Sequence, residues 1–470
     1  MTDIPLYRHQ REAVAFAESV GGNCALFHEP GLGKTRTSLE VFSRLREHNP
    51  QLRLLVVCPL SLVNAAWGED IKRFTGFTSS AFKELNGTSP DIVVINYEAL
   101  ISRRNLPVIK RMVAAQPFMC VLDESSRLKN NKSVTTKVLL ELAPFFRHRI
   151  VASGTPMPNS ELELWGQINF LRPEYLCKSF YAFRNTYFHL ERNGQRMRLS
   201  GQYVSREYMR EILSSGWRYA ITGENRQRLM ERIRPLANWV KKADALDLPE
   251  KVDEIREVEL SPEEWAAYED MRKYLVAEIN GTQVTAQVAL AKLMKLRQAT
   301  SGFFYTQDGK VVETGKSSKM RELENAIEEL GNQPVIVWVQ FHQEVEAVQK
   351  LLSGKYGAEQ VVTLYSETPD RDESIRRFKA GEARYLVAHP KSAGHGLTFT
   401  NCSAMVFYSL DYSYETHAQA RDRIHRIGQA HSCLYIYLLA NDTIDGHLLK
   451  VLQKKQSLQE AVHALVRNED

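Results

Sequence analysis

Apolar residues recur along this 470-residue chain as short runs at regular intervals, not as one long stretch. Runs at 23–28, 53–58, 91–95, 118–122 and 149–152 each have the length of a buried strand, and stretches of helical spacing separate them. Apolar strands that alternate with helices predict a parallel sheet covered on both faces. The pattern starts again after Gly315, with strand-length runs near 335–339, 361–365, 384–388, 404–408 and 433–439. In between the alternation lapses. Residues 171–315 read as mainly helical, with Glu263 to Ile279 the clearest amphipathic stretch and Leu248-Pro249-Glu250-Lys251 as an extended connector. From Thr443 the pattern reads as a closing helix. The expected fold is α/β: a parallel-sheet lobe over 1–170, a helical insertion and connector over 171–315, and a second such lobe over 316–470.

One feature interrupts the insertion. Tyr187 to Leu190 and Arg196 to Leu199 flank Asn193-Gly194. Asn-Gly between strand-like arms predicts a hairpin, because both residues tolerate positive φ. Arg192, Arg196 and Arg198 make it basic. The surrounding segment, Arg172 to Lys242, holds fifteen Lys/Arg against six Asp/Glu, a net of +9 in a chain whose total is +5. Such an excess suits phosphate backbones, whereas most of the segment's aromatic residues are expected to pack a local core.

Composition is that of a globular chain, with 43% hydrophobic and 25% charged residues. No apolar run approaches the roughly 18 residues of a membrane span, and MTDIPLYRHQ lacks the plan of a signal peptide. Six cysteines without a CxxC pair predict a reduced cytosolic protein without structural zinc. A cytoplasmic monomer from a bacterial or phage-infected cell is expected.

Candidate chemistry begins at His28-Glu29-Pro30-Gly31-Leu32-Gly33-Lys34-Thr35, which follows the apolar run Cys24 to Phe27 and precedes helical spacing from Ser38. Strand, glycine loop and helix in that order are the setting of a phosphate-binding loop. Gly31 and Gly33 let backbone N–H groups approach a polyphosphate. Lys34 is placed to reach the β- and γ-phosphates of ATP, and Thr35 to hold Mg2+. The general pattern has glycine where this chain has His28. A second apolar run ends in Asp123-Glu124, paired carboxylates suited to metal-assisted hydrolysis, with Asp123 on Mg2+ and Glu124 on the attacking water. Far downstream, Gln419 to Gln429 reads QARDRIHRIGQ. Read as the start of a helix, it puts Arg423 and Arg426 on one face, where two cations suit a transferring phosphoryl group; Asp422 offers either arginine a partner.

In this order the motifs resemble those of the Swi/Snf-type DNA-dependent ATPases of helicase superfamily two. Tyr7-Arg8-His9-Gln10 looks like the adenine-reading segment, Val56 to Trp67 and Val93 to Leu100 like the next two motifs, and Asp123 to Asn130 like the Asp-Glu box. Ser153 to Asn159 with Leu164-Trp165, Leu296 to Gly302, and QARDRIHRIGQ complete the match over nearly the whole chain. The resemblance implies two RecA-like lobes that close on ATP and grip DNA. It implies nucleotide contacts from Arg8, Gln10, Gly31, Gly33, Lys34, Thr35, Gly396 and Gln419. It further implies catalytic roles for Glu124, Lys34, Arg423 and Arg426, and sequence-independent DNA contacts from Ser61, Asn96, Tyr97, Ser392 and Gly394. The hairpin resembles a feature of the branch that anneals branched DNA. Three departures stand out: Ser126 replaces the histidine or glutamine that links the Asp-Glu box to Ser153-Gly154-Thr155, Lys241-Lys242 replaces an arginine pair, and His395 replaces glycine. The leading expectation is a translocase on double-stranded or branched DNA; the alternatives are a strand-separating helicase and a weakly hydrolysing, ATP-gated DNA clamp.

Overall fold

Strands that are apolar along their whole length need partners on both faces, and the structure supplies them twice. The computed structural model describes residues 4–85, 87–158, 160–192, 194–197, 206–245, 248–280, 286–305, 310–313, 317–393 and 397–454. The chain divides into two compact units, Met1–Ala245 and Leu246–Asp470.

The first unit contains β1 (Asn23–His28), β2 (Arg53–Cys58), β3 (Ser79–Ala81), β4 (Ile92–Asn96), β5 (Phe118–Asp123), β6 (Phe146–Ala152), β7 (Phe188–Arg192), β8 (Gln195–Met197), β9 (Arg218–Ile221) and β10 (Ala237–Val240). Seven of them form one parallel sheet in the order β10-β1-β6-β5-β2-β4-β3. Successive side chains in a strand point to opposite faces, and the core divides accordingly. Ala25, Phe27, Leu55, Val57, Cys120 and Leu122 pack on one side, while Cys24, Leu26, Leu54, Val56, Met119 and Val121 pack on the other.

Strands β7, β8 and β9 form a separate antiparallel sheet in the order β8-β7-β9. Its β7–β8 hairpin turns through Gly194 at φ +77°, and Arg192 faces Gln195 across the last pair.

The second unit contains β11 (Lys251–Val258), β12 (Phe303–Tyr305), β13 (Val311–Glu313), β14 (Val335–Trp338), β15 (Val361–Leu364), β16 (Tyr385–Ala388), β17 (Ala404–Phe407) and β18 (Cys433–Ala440). Six form a parallel sheet in the order β11-β18-β17-β14-β16-β15. A buried ion pair between Lys319 and Asp445 joins helix Ser318–Glu329 to helix Ile444–Lys454, and Asp445 also accepts from Thr300 Oγ1 at 3.2 Å and the Ala440 N–H at 3.1 Å. Two parallel sheets with helices are the two RecA-like lobes that the motif order implies.

Residues 171–315 are shared between the units instead of standing as a body of their own. β10 runs beside the phosphate-loop strand from Ala25↔Ala237 to His28↔Val240. β11, which begins within the expected connector, pairs with β18 over eight residues. Both lie at sheet edges, where one side meets solvent and charges or short runs are normal. Hence Lys-Val-Asp-Glu-Ile-Arg-Glu-Val carries little of the apolar signal of a buried strand.

Candidate active site

The phosphate loop leaves β1 at His28 and enters helix Lys34–His48 through Gly33, which caps it in the left-handed conformation at φ +73°. Gly31 is also left-handed, at φ +90°. A β-carbon on Gly33 would overlap the Gln10 amide, so this position suits glycine for both space and backbone angle. Helix Arg8–Ser19 holds the loop from outside: His9 Nε2 donates to Leu32 O at 3.0 Å, and Gln10 Nε2 reaches Leu32 O at 3.4 Å. Gly31, Gly33, Lys34 and Thr35 are partly exposed along the rim while Leu32 is buried. No acidic residue occupies the first turn of helix Lys34–His48, so no side chain of that turn offsets its N-terminal positive potential.

His28 fits where glycine was expected because its ring points into the sheet. Its Nε2 donates to Asn238 Oδ1 on β10 at 2.7 Å, and burial pushes its pKa down to about 4. A neutral ring places no second charge beside Lys34, whose Nζ donates to His28 O at 2.9 Å. Glu29 continues the stitching: its N–H bonds Val240 O at 3.0 Å, and its Oε2 accepts from the Lys242 N–H at 2.9 Å.

Asp123 ends β5 beside this loop. Trp67 Nε1 donates to its Oδ2 at 2.9 Å, and the Glu124 N–H donates to its Oδ1 at 3.0 Å. Burial first, then the Glu124 charge, raises its pKa; Lys34 and the Trp67 bond pull the other way. Ala152 of β6 pairs with Leu26 of β1 on one side and with Asp123 of β5 on the other, so the loop and the paired carboxylates leave the same end of the sheet. Trp67 reaches Asp123 from a π-helical turn, Val63–Gly68, a geometry that recurs at functional sites. Glu124 is partly exposed and left-handed, at φ 51°, a conformation that costs a non-glycine residue about 1–3 kcal/mol.

In the second unit the QARDRIHRIGQ segment is the end of a helix, not its start. Helix Tyr414–Arg421 stops before Arg423, and Gly428 turns the chain at φ +95°. Gln429 Nε2 then donates to Ile424 O at 3.1 Å, a carbonyl that a continuing helix would have used, and to Cys402 O at 2.8 Å, tying the turn to the segment before β17. Arg423 and Arg426 therefore do not share a helical face. Arg423, 3% exposed, donates to Leu397 O at 3.1 Å, and Arg426 Nη1 donates to Thr398 Oγ1 at 3.0 Å. Both arginines thus grip the 397–398 segment. Asp422 faces Lys251 at 3.6 Å, and His425 Nε2 donates to Pro249 O at 2.9 Å.

The remaining candidates divide. Arg8 is exposed and pairs with Glu12 at 2.8 Å; Gln419 is partly exposed on helix Tyr414–Arg421 and reaches Glu415 at 3.5 Å. Ser61, Asn96 and Ser392 are partly exposed, and Asn96 Nδ2 donates to Glu98 at 3.0 Å. Tyr97 is corrected: its ring is 2% exposed and its hydroxyl donates to Asp123 O at 2.8 Å, so its side chain braces the carboxylate turn and presents no face to DNA. Arg192 and Arg196 are exposed, with Arg192 Nη1 donating to Ser215 O at 2.9 Å and Arg196 3.7 Å from Glu191. Arg198, Gly394 and Gly396 lie outside the described residues. Sequence reasoning assigned no role to Trp67, Asn238 or Gln167. The available signal was a polar side chain in an apolar run, as in Leu-Trp-Gly-Gln-Ile-Asn-Phe-Leu.

Residues 9–302 match the SNF2-related domain and residues 318–428 the helicase conserved C-terminal domain. The chain is 25% identical to protein p41 of Acyrthosiphon pisum secondary endosymbiont phage 1 over 92% of each chain. It is 27% identical to the Caenorhabditis elegans SWI/SNF-related matrix-associated actin-dependent regulator of chromatin subfamily A-like protein 1 homolog, covering 96% of this chain and 61% of that one. A solved Sulfolobus solfataricus SWI2/SNF2 ATPase core in complex with dsDNA aligns with 99% of this chain and 94% of its own at 22% identity and a TM-score of 0.44. With family matches in both units, the chain belongs to the SNF2-related family and is a DNA-dependent ATPase of the helicase type.

Proposed function

We propose that the protein is an ATP-driven translocase on double-stranded or branched DNA that remodels DNA or DNA–protein complexes. The observation that carries this reading is the meeting, in one unit, of a partly exposed phosphate loop with the Asp123-Glu124 pair, whose strands β1 and β5 flank β6 at Ala152. The left-handed glycines and the acid-free helix start fit a polyphosphate. Lys34 neutralises phosphate charge there, and Arg8 and Gln10 flank the base. Thr35 and Asp123 would hold Mg2+, and Gly396 and Gln419 are the second unit's nucleotide candidates. Bound ATP with Mg2+ supplies the phosphoanhydride and the charge neutralisation for its cleavage. Glu124 orients the attacking water and takes its proton at the carboxylate. Arg423 and Arg426 stabilise the charge of the transition state, an effect of about 10³–10⁵ in rate for such arginines. Ser61, Asn96, Ser392, Gly394 and the hairpin arginines contact DNA phosphates, with affinity that falls steeply with salt. The phage relative supports action inside a bacterial or phage-infected cell.

The test compares ATP turnover with single-stranded DNA, duplex DNA, forked DNA and RNA side by side. Duplex or forked DNA should stimulate most, and Glu124→Gln should lower stimulated turnover by about 10²-fold or more while retaining nucleotide binding. Turnover that no DNA raises would overturn the proposal and leave an ATP-gated clamp. The β7–β8 hairpin supports one further reading, a wedge that separates strands; strand displacement on forked DNA distinguishes the two.

A further inference from the structure

Gln167 is a fully buried amide in the mainly apolar helix Leu164–Leu171. Its Oε1 accepts from Ser125 Oγ at 2.8 Å. Its Nε2 donates to Pro156 O at 2.6 Å and to Glu163 O at 3.2 Å. Ser125, also fully buried, directly follows the left-handed Glu124. Pro156 closes the loop from Ser153, whose N–H bonds Leu26 O at 3.2 Å on the phosphate-loop strand. Between them Gly154 presses on the phosphate loop itself: a β-carbon there would lie 2.6 Å from Pro30 Cδ. On the other side Gly166 lies against the carboxylate turn, where a β-carbon would be 2.5 Å from Leu128 O. A contiguous path therefore runs from Pro30 through Gly154, Pro156 and Gln167 to Ser125 and Glu124. Contiguous packing of this kind is what can carry coupling between sites.

We propose that Gln167 is a positioning residue that makes the Glu124 turn respond to occupancy of the phosphate loop. The inference rests on reading that loop as the ATP site. The family resemblance places a linking side chain at position 126, which is Ser126 here; beside it, an amide from helix Leu164–Leu171 reaches the same turn through Ser125. Removing one partner of a buried hydrogen bond leaves the other unsatisfied, so the turn loses its tie while both halves of the site keep their own residues.

The test uses the full chain as wild type, Gln167→Leu, Ser125→Ala and the double variant. Hydrogen exchange is followed with and without ADP, so one readout needs neither hydrolysis nor DNA. ADP should slow exchange over 29–36 in all four proteins, but over 124–129 in the wild type alone. DNA-stimulated kcat should fall on the order of tenfold in either single variant, with KM for ATP within about twofold. The double variant should be no worse than Gln167→Leu, because that change already removes the one bond that Ser125→Ala breaks. Wild-type protection of 124–129 in Gln167→Leu and Ser125→Ala would overturn the proposal. So would kcat and KM changing together in step with lost thermal stability. Absence of protection over 29–36 in the wild type would instead show that the loop is not the ATP site, and the inference would fall with that reading.

Discussion

A histidine at position 28 carries a measurable signature. Its folded pKa of about 4 lies below the 6.5 of an exposed imidazole, so between those values the unfolded chain binds the extra proton. Stability from this group is therefore intact above about pH 6.5 and declines as pH falls toward 4, by about 2 kcal/mol at pH 5. His417, pushed down to about 3 by burial and then Arg421, acts in the same direction in the second unit. Urea midpoints at pH 7 and pH 5 should show this loss, and His28→Gln should flatten it; an unchanged slope would mean that His28 is not buried neutral. At this scale the candidate site was readable wherever chemistry dictates a residue type: Lys34, Asp123 and Glu124 announce themselves in sequence. Their supports do not. Trp67 on Asp123 and Asn238 on His28 are set by tertiary placement across 56 and 210 residues.

Elements carry a different lesson. The segment from Gln419 was expected to open a helix with its two arginines on one face, yet the helix ends at Arg421. The turn at Gly428 and the bonds from Gln429 favour a bend that periodicity over a few residues does not register. The Asn-Gly hairpin was legible for the opposite reason, since its turn chemistry is local. Replacing its exposed Arg192 and Arg196 with alanine should weaken DNA stimulation of ATP turnover and lower the salt slope by up to about 2, read from titrations at several salt concentrations. Full stimulation at moderate salt would remove the hairpin from the DNA surface. Where helices meet in the second unit, the Lys319–Asp445 pair is fully buried. Lys319→Ala leaves Asp445 as a buried charge and should cost about 3–5 kcal/mol, measured as a drop in the urea midpoint. A drop below about 1 kcal/mol would show that solvent reaches the carboxylate.

For the whole molecule, the two parallel sheets were visible in the rhythm of apolar runs, because strands covered on both faces have nowhere to place charges. The unit boundary was not. It falls after Ala245, since the edge strands β10 and β11 belong to different sheets and neither reads as a buried run. That placement bears on how the protein is made. β1 emerges early in synthesis, but its partner β10 follows more than 200 residues later. Until then β1, which carries the phosphate loop, is an open strand edge with bare N–H and C=O groups. Such an edge invites pairing with other chains, and closing so long a loop is slow. A fragment ending at residue 170 should therefore aggregate on expression, whereas one ending at 245 should remain in the supernatant and give a single sharp melting transition. Equal recovery of the two after centrifugation would show that β10 is dispensable for folding. The nascent chain is most exposed to aggregation while β1 waits for residue 240.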